Sequence, residues 1–210
     1  MKLSKYIDHT LLKAYATKSD IKELCTDAIT YDFKSVCVNP DYVSYAKELL
    51  DGSNILVCTV IGFPLGANTT KVKVFEAVDA INNGADEVDM VINISKAKDH
   101  DYDYIYNEIK EIKDAVKSHT LKVIIETCYL TKEEIKEISL LVKKANANFV
   151  KTSTGFGTGG ATVEDVKLIK EVVGNFDIKA SGGIKTKDDF NKMIEAGATR
   201  IGTSNGKNLL

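Results

Sequence analysis

The chain sets eight short, β-branched apolar runs apart by longer stretches with helical spacing, and few folds accept that order. Apolar runs predict strands over 6–8, 35–38, 55–60, 87–92, 122–126, 148–151, 176–179 and 199–202. Helical periodicity predicts helices over 19–31, 41–50, 69–83, 102–118, 132–146, 162–173 and 187–196. Ser19, Thr131 and Thr186 stand where N-caps are expected, and Gly84, Gly174 and Gly197 lie just past helix ends. Strands that alternate with helices argue for a parallel sheet, because a parallel pair needs a crossover long enough to carry a helix. Eight strands with seven helices between them in 210 residues close naturally into one single-domain (β/α)8 TIM barrel spanning 1–210. That length is near the short end of the range for such barrels, roughly 200 to over 400 residues. The competing arrangement is a doubly wound open sheet. Against it, no Gly-x-Gly-x-x-Gly follows the first strand, and no acidic residue stands at the distance that motif requires.

Composition narrows the function. With 28 Lys+Arg against 30 Asp+Glu the net charge is −2, which gives no support for binding nucleic acid or a polybasic membrane contact. No segment approaches the length of a membrane span, and the first residues lack the apolar run of a signal peptide. Cys25, Cys37, Cys58 and Cys128 show no Cys-x-x-Cys spacing and read as free thiols in a reducing cytoplasm. His9, His100 and His119 have no ligand spacing, and no metal site is expected; His100 and His119 fall in polar stretches read as exposed.

Two lysines carry the chemistry. Lys151 ends Asn148-Phe149-Val150-Lys151 and Lys179 ends Phe176-Asp177-Ile178-Lys179, and each precedes a Gly/Ser/Thr loop leading to a helix. In a barrel that position is the mouth where the strands end. A free lysine is an ammonium ion at pH 7 in all but about one molecule in a few thousand. A nucleophilic lysine therefore needs roughly 4 kcal/mol of bias against its charged form. An apolar strand end and a second cation nearby supply that bias, which makes a Schiff-base enzyme. The ordinary alternative for either lysine alone is a side chain reaching out to solvent.

Asp89 lies in the otherwise apolar Glu87-Val88-Asp89-Met90-Val91, and alternation puts Glu87 on the same face. A carboxylate turned into a barrel needs a cation, and pairing with Lys151 or Lys179 would let it shuttle protons. A structural ion pair is the competing reading. Asp8 is a weaker case, expected to orient a lysine. Ser181-Gly182-Gly183 and Gly202-Thr203-Ser204 follow the last two strands, where barrels often bind phosphate through backbone N–H groups. Plain tight turns would have the same composition. The loop beginning at Gly155 adds a third wall or a lid.

Five segments together resemble the deoxyribose-phosphate aldolases. They are Ile7-Asp8-His9-Thr10-Leu11-Leu12, Val60-Ile61-Gly62-Phe63-Pro64-Leu65-Gly66, Glu87 through Asn93, Val150 through Phe156, and Ile178 through Ile184. They run in order from the first strand to the last. The resemblance implies a class I aldolase that needs no cofactor and cleaves 2-deoxy-D-ribose 5-phosphate reversibly to D-glyceraldehyde 3-phosphate and acetaldehyde. It implies that Lys151 forms the Schiff base, that Lys179 lowers the pKa of Lys151 and relays protons, and that Asp89 donates and accepts protons through water. It further implies phosphate contacts at Gly155, Gly182, Gly183, Gly202 and Ser204, and a homodimer or higher homo-oligomer. Two features depart from the family pattern. Lys185 stands where an Arg is usual, and the chain ends at Leu210 where some longer members carry a tail ending in tyrosine. A phosphosugar isomerase would act without an imine and survive loss of Lys151. A phosphosugar-binding protein would bind without turnover.

Overall fold

A computed structural model describes residues 2–210. Eight strands run β1 Ile7–Leu11, β2 Ser35–Val38, β3 Leu56–Ile61, β4 Glu87–Val91, β5 Thr120–Ile124, β6 Phe149–Lys151, β7 Asp177–Ser181 and β8 Arg200–Thr203. Each pairs in parallel with the next, and β8 returns to β1 through Ile7↔Ile201 and His9↔Thr203. That last pairing closes the barrel and excludes the open doubly wound sheet. The helices are α1 Lys18–Tyr31, α2 Val43–Leu49, α3 Thr70–Asn82, α4 Ile94–Lys98, α5 Tyr102–Val116, α6 Lys132–Lys144, α7 Val163–Val173 and α8 Lys187–Ala196.

The strands are buried on both faces, as in any sheet with a helical layer outside and packed side chains within. Outward residues such as Val36, Val88, Met90, Val123, Val150 and Ile178 pack against the helices in one continuous core. Helix α5 shows how the sequence encodes that contact. Ile105, Ile109, Ile112 and Val116 recur every three or four residues and are all buried. Each such side chain stabilises the fold by roughly 1.5–3 kcal/mol. Inside the barrel a separate small apolar group, Leu12, Cys37, Cys58 and Val60 with Phe63, lies toward the mouth.

Several boundaries differ from those read in the sequence. The first strand runs over Ile7–Leu11, beyond the expected 6–8, because its second half pairs with β2 through Thr10↔Cys37 and Leu11↔Val38. Helix α1 is capped by Thr17, not Ser19: the Thr17 hydroxyl accepts from Asp20 N–H while the Asp20 carboxylate accepts from Thr17 N–H. Thr131 and Thr186 cap as expected. The helix expected over 41–50 begins as a 3-10 turn at Pro40–Tyr42, and the five-residue α4 is too short to show a period. His119 is half-buried, with its Nδ1 3.0 Å from Val116 O, whereas His100 is exposed.

Candidate active site

Lys151 closes β6 and is paired in register with Lys179 on β7, which in turn pairs with Arg200 on β8. On the other flank of β6, Asp89 of β4 pairs with Lys122 of β5, the strand that pairs with β6. Strand alternation turns all of these inward with Asp8, Glu87 and Cys58. The interior is therefore filled by charge. Asp89 Oδ2 accepts from Lys151 Nζ at 2.7 Å and from Lys179 Nζ at 2.8 Å, while Asp89 Oδ1 accepts from Lys122 Nζ at 2.7 Å. Lys179 Nζ also lies 2.5 Å from Asp8 Oδ2, and Asp8 Oδ1 accepts from Arg200 at 2.8 Å and from the Ser35 hydroxyl at 2.7 Å. Glu87 binds Lys122 at 2.7 Å and Arg200 at 3.0 Å.

Those distances set the charge states. Burial opposes the Asp89 carboxylate, but Lys122, Lys151 and Lys179 outweigh it and hold its carboxyl well below the usual range. Asp8 is held low in the same way, with burial overcome by Arg200, Lys179 and Lys122. Burial disfavours the ammonium groups of Lys179 and Lys122, yet the carboxylates of Asp8, Asp89 and, for Lys122, Glu87 raise both above the ordinary lysine value. Three carboxylates thus face three cations that each have at least two acidic partners. Lys151 is the fourth basic side chain, and its one acidic contact is an oxygen it shares with Lys179.

The expected residues come together in two tiers. Lys179, Asp89 and Asp8 form the buried tier, with Lys151 above them at the floor of a cavity of about 250 Å³. The same cavity is lined by Gly155, Gly182, Gly183, Gly202 and Ser204, so all five phosphate candidates converge on the lysine. Among the described residues, the N–H groups of Gly155, Gly182, Gly183 and Ser204 have no protein acceptor. Gly182 and Gly183 hold consecutive positive φ angles of 83° and 81°, which lets the backbone curl around an anion. Gly202 has a different constraint: a Cβ there would lie 3.0 Å from Lys179 Cε and 3.0 Å from Ser181 Cβ, so its bareness makes room for Lys179. Lys185 is exposed at the rim, and Phe63 meets Phe156 edge-on at 5.3 Å across one side of the mouth.

Sequence reasoning missed Lys122 and Arg200. The available signal was alternation: Lys122 interrupts an apolar strand as Asp89 does, and Arg200 opens one. Sγ of Cys37, Sγ of Cys58 and an Asp89 oxygen lie within 4.8 Å of one another, a trio that could ligate a cation. Lys122 Nζ already sits 3.3 Å from Cys58 Sγ and 2.7 Å from Asp89, so an ammonium group holds that place and its charge repels a metal ion.

Comparison with known proteins places the chain among aldolases. The family described as DeoC/LacD family aldolase matches residues 2–210. A deoxyribose-phosphate aldolase of Thermoanaerobacter sp. (strain X514) is 60% identical over 98% of this chain and 94% of its own length. Deoxyribose-phosphate aldolase 1 of Staphylococcus aureus (strain Mu50) is 58% identical over 100% of this chain and 96% of its own. Among solved structures, the aldolase QR15 superposes with a TM-score of 0.95 at 45% identity, covering 100% of this chain and 94% of that one. The tetrameric deoxyribose phosphate aldolase of Aeropyrum pernix gives 0.92 at 32% identity, covering 99% and 88%.

Proposed function

The chain belongs to the DeoC/LacD family of aldolases, and from that premise we propose that it is a deoxyribose-phosphate aldolase acting through a Schiff base on Lys151. One observation carries the assignment of the nucleophile. Lys151 Nζ reaches the cavity floor while sharing a single carboxylate oxygen with Lys179, so the proton it gives up leaves three cations balancing three carboxylates.

The amine attacks C1 of the open-chain 2-deoxyribose 5-phosphate and loses water to form a protonated imine. Removal of the C3 hydroxyl proton then lets the C2–C3 bonding pair flow into the imine, releasing D-glyceraldehyde 3-phosphate and leaving an enamine. Protonation at C2 and hydrolysis release acetaldehyde and restore Lys151. Asp89 and Lys179 share the relay: Lys179 is the charged donor, and Asp89, ionised at rest, accepts protons through water. Asp8 holds Lys179 in place. The free amides at Gly155, Gly182, Gly183 and Ser204 take the phosphate with Lys185 at the rim, which holds C1 against the amine. Gly202 serves that pocket by admitting Lys179.

A phosphosugar isomerase forms no imine, so it would retain activity when Lys151 is removed and would give no borohydride adduct. Free thiols and a chain in which no described helix is long and apolar enough to cross a membrane fit a cytoplasmic enzyme. Self-association belongs to the same reading: Phe75 is 72% exposed beside Val72 and Val78 on one face of α3, a surface suited to a second copy.

Borohydride trapping with deoxyribose 5-phosphate or acetaldehyde, followed by peptide mass mapping, tests the reaction. The expected adduct is on Lys151. An adduct on Lys179 would exchange the two roles, and no adduct on folded, substrate-binding protein would refute the imine.

A further inference from the structure

Glu126 stands outside the lysine cluster and takes no part in the chemistry above. It follows β5, is 1% exposed, and holds a left-handed backbone of φ 55° and ψ 65°. Non-glycine residues keep that conformation where the surroundings enforce it, and such positions gather at functional sites. Its carboxylate meets the start of the loop that leaves β6. Oε1 and Oε2 accept from Thr154 N–H at 3.2 and 3.3 Å, and Oε2 accepts from the Thr154 hydroxyl as well. Cys128 Sγ lies 3.9 Å from Oε1. Among the described residues no Lys, Arg or His nitrogen lies within 4.0 Å of it, since Glu126 takes part in none of the ion pairs. A carboxylate buried without a cation is costly, and a packing role alone is filled as well by a neutral side chain.

The contact is passed along the loop. The Thr154 hydroxyl, donating to Glu126, accepts from Phe156 N–H at 2.9 Å. Both amides flanking Gly155 are thereby engaged within the protein, while Gly155 N–H keeps no protein acceptor among the described residues and Gly155 lines the cavity. Two more contacts clamp the same loop. A Cβ on Gly157 would lie 2.9 Å from Cys128 Sγ and 3.2 Å from Glu126 Cδ, and one on Gly160 would lie 2.3 Å from Gly182 O. Ala161 N–H donates to Ser181 O at 3.0 Å and to Gly182 O at 3.1 Å. The loop is thus held between the Glu126 turn on one side and the Gly182 loop on the other.

We propose that Glu126 is a positioning residue for the anionic end of the substrate: through Thr154 it sets the Gly155 amide against the Gly182–Gly183 loop, so that these donors meet one phosphate. The proposal rests on the phosphate pocket described under the proposed function. A carboxylate suits the task because it is acceptor-only and can take the Thr154 N–H and hydroxyl together.

The test compares 2-deoxyribose 5-phosphate with unphosphorylated 2-deoxyribose in wild type, Glu126→Gln and Glu126→Ala. Wild type prefers the phosphorylated sugar. Glu126→Ala lowers the ratio of the two kcat/KM values roughly ten- to hundredfold, chiefly through KM for the phosphorylated sugar. Glu126→Gln keeps its shape and one acceptor oxygen, and lowers the ratio about two- to tenfold. It therefore reports even where the alanine variant fails to fold. A wild type without preference for the phosphorylated sugar would refute the phosphate pocket and this role with it. A wild-type preference that the Glu126 variants preserve while slowing both sugars equally would leave the pocket standing and overturn the role of Glu126.

Discussion

Replacing Lys122 by methionine tests whether the barrel interior is a balanced charge cluster. Lys122 Nζ lies 2.7 Å from Asp89 Oδ1 and 2.7 Å from Glu87 Oε2, with the side chains almost wholly shielded from water. Lys122→Met keeps most of the stem and leaves both carboxylates short of a partner. Loss of one member of a buried pair costs about 3–5 kcal/mol. In a chain of this length about 1 kcal/mol moves Tm by roughly 2–4 °C, so Tm should fall by about 6–20 °C. Catalysis should suffer through a separate route. With Lys122 present, Lys122, Lys179 and Arg200 balance Asp8, Glu87 and Asp89. Without it Asp89 keeps only Lys151 and Lys179 as partners and is drawn toward them, which displaces both lysines and lowers kcat/KM. Adding Glu87→Gln removes one charge of each sign and should recover part of both losses, with a coupling of about 0.5–3 kcal/mol. Urea unfolding followed by circular dichroism measures the first effect, since the chain has no tryptophan to report it. Turnover of the folded variant measures the second. A Lys122→Met loss below about 1 kcal/mol, or single-variant losses that merely add in the double variant, would refute the balance argument.

Three further outcomes are expected. Lys151→Ala should abolish both turnover and the borohydride adduct while leaving the melting curve cooperative; residual turnover would rule out the imine. Gly202→Ala places a methyl 3.0 Å from Lys179 Cε and should cost activity by displacing that ammonium from Asp89, visible as a fall in kcat. His9→Gln should flatten the pH dependence of stability just below neutrality. His9 is buried with Nε2 3.5 Å from Asp27 Oδ2 and Lys207 beyond it, and burial lowers its pKa more than Asp27 raises it. The unfolded chain therefore binds the proton first, so this contribution is complete above the unfolded value of about 6.5 and declines as pH falls below it. Equal urea midpoints at pH 5.5 and 7.5 in the wild type would contradict that sign.

How much was legible varies with how local each feature is. The Thr131 and Thr186 caps could be read directly, because a capping box is complete within four residues. Thr17 is harder to tell from Ser19, a second hydroxyl at the same helix start, although Asp20 three residues after Thr17 completes its capping box. Lys151, Lys179 and Asp89 were legible because each is a charge in a mainly apolar strand; β7 runs on to Ser181, so Lys179 lies within its strand and only Lys151 ends one. Lys122 and Arg200 are the same kind of exception, but a charged residue within a strand looks alike in sequence whether it reaches solvent or turns inward. Glu126 looks in the sequence like the last residue of a strand. Its left-handed backbone and its bonds to Thr154 depend on a loop 28 residues further along.

Alternating periods of two and 3.6, with caps and glycines between them, determined the parallel βα order and singled out the lysines of β6 and β7. These follow from backbone geometry and hydrogen bonding between near neighbours, which a linear string records. Closure and charge pairing were decided only by the tertiary structure. Asp89 meets Lys151 across 62 residues and Lys179 across 90, and Asp8 meets Arg200 across 192. The energy of a buried charge depends on what lies within a few ångströms of it. Only when β8 pairs with β1 do three carboxylates and four basic side chains share one dry interior, with one lysine left to do chemistry.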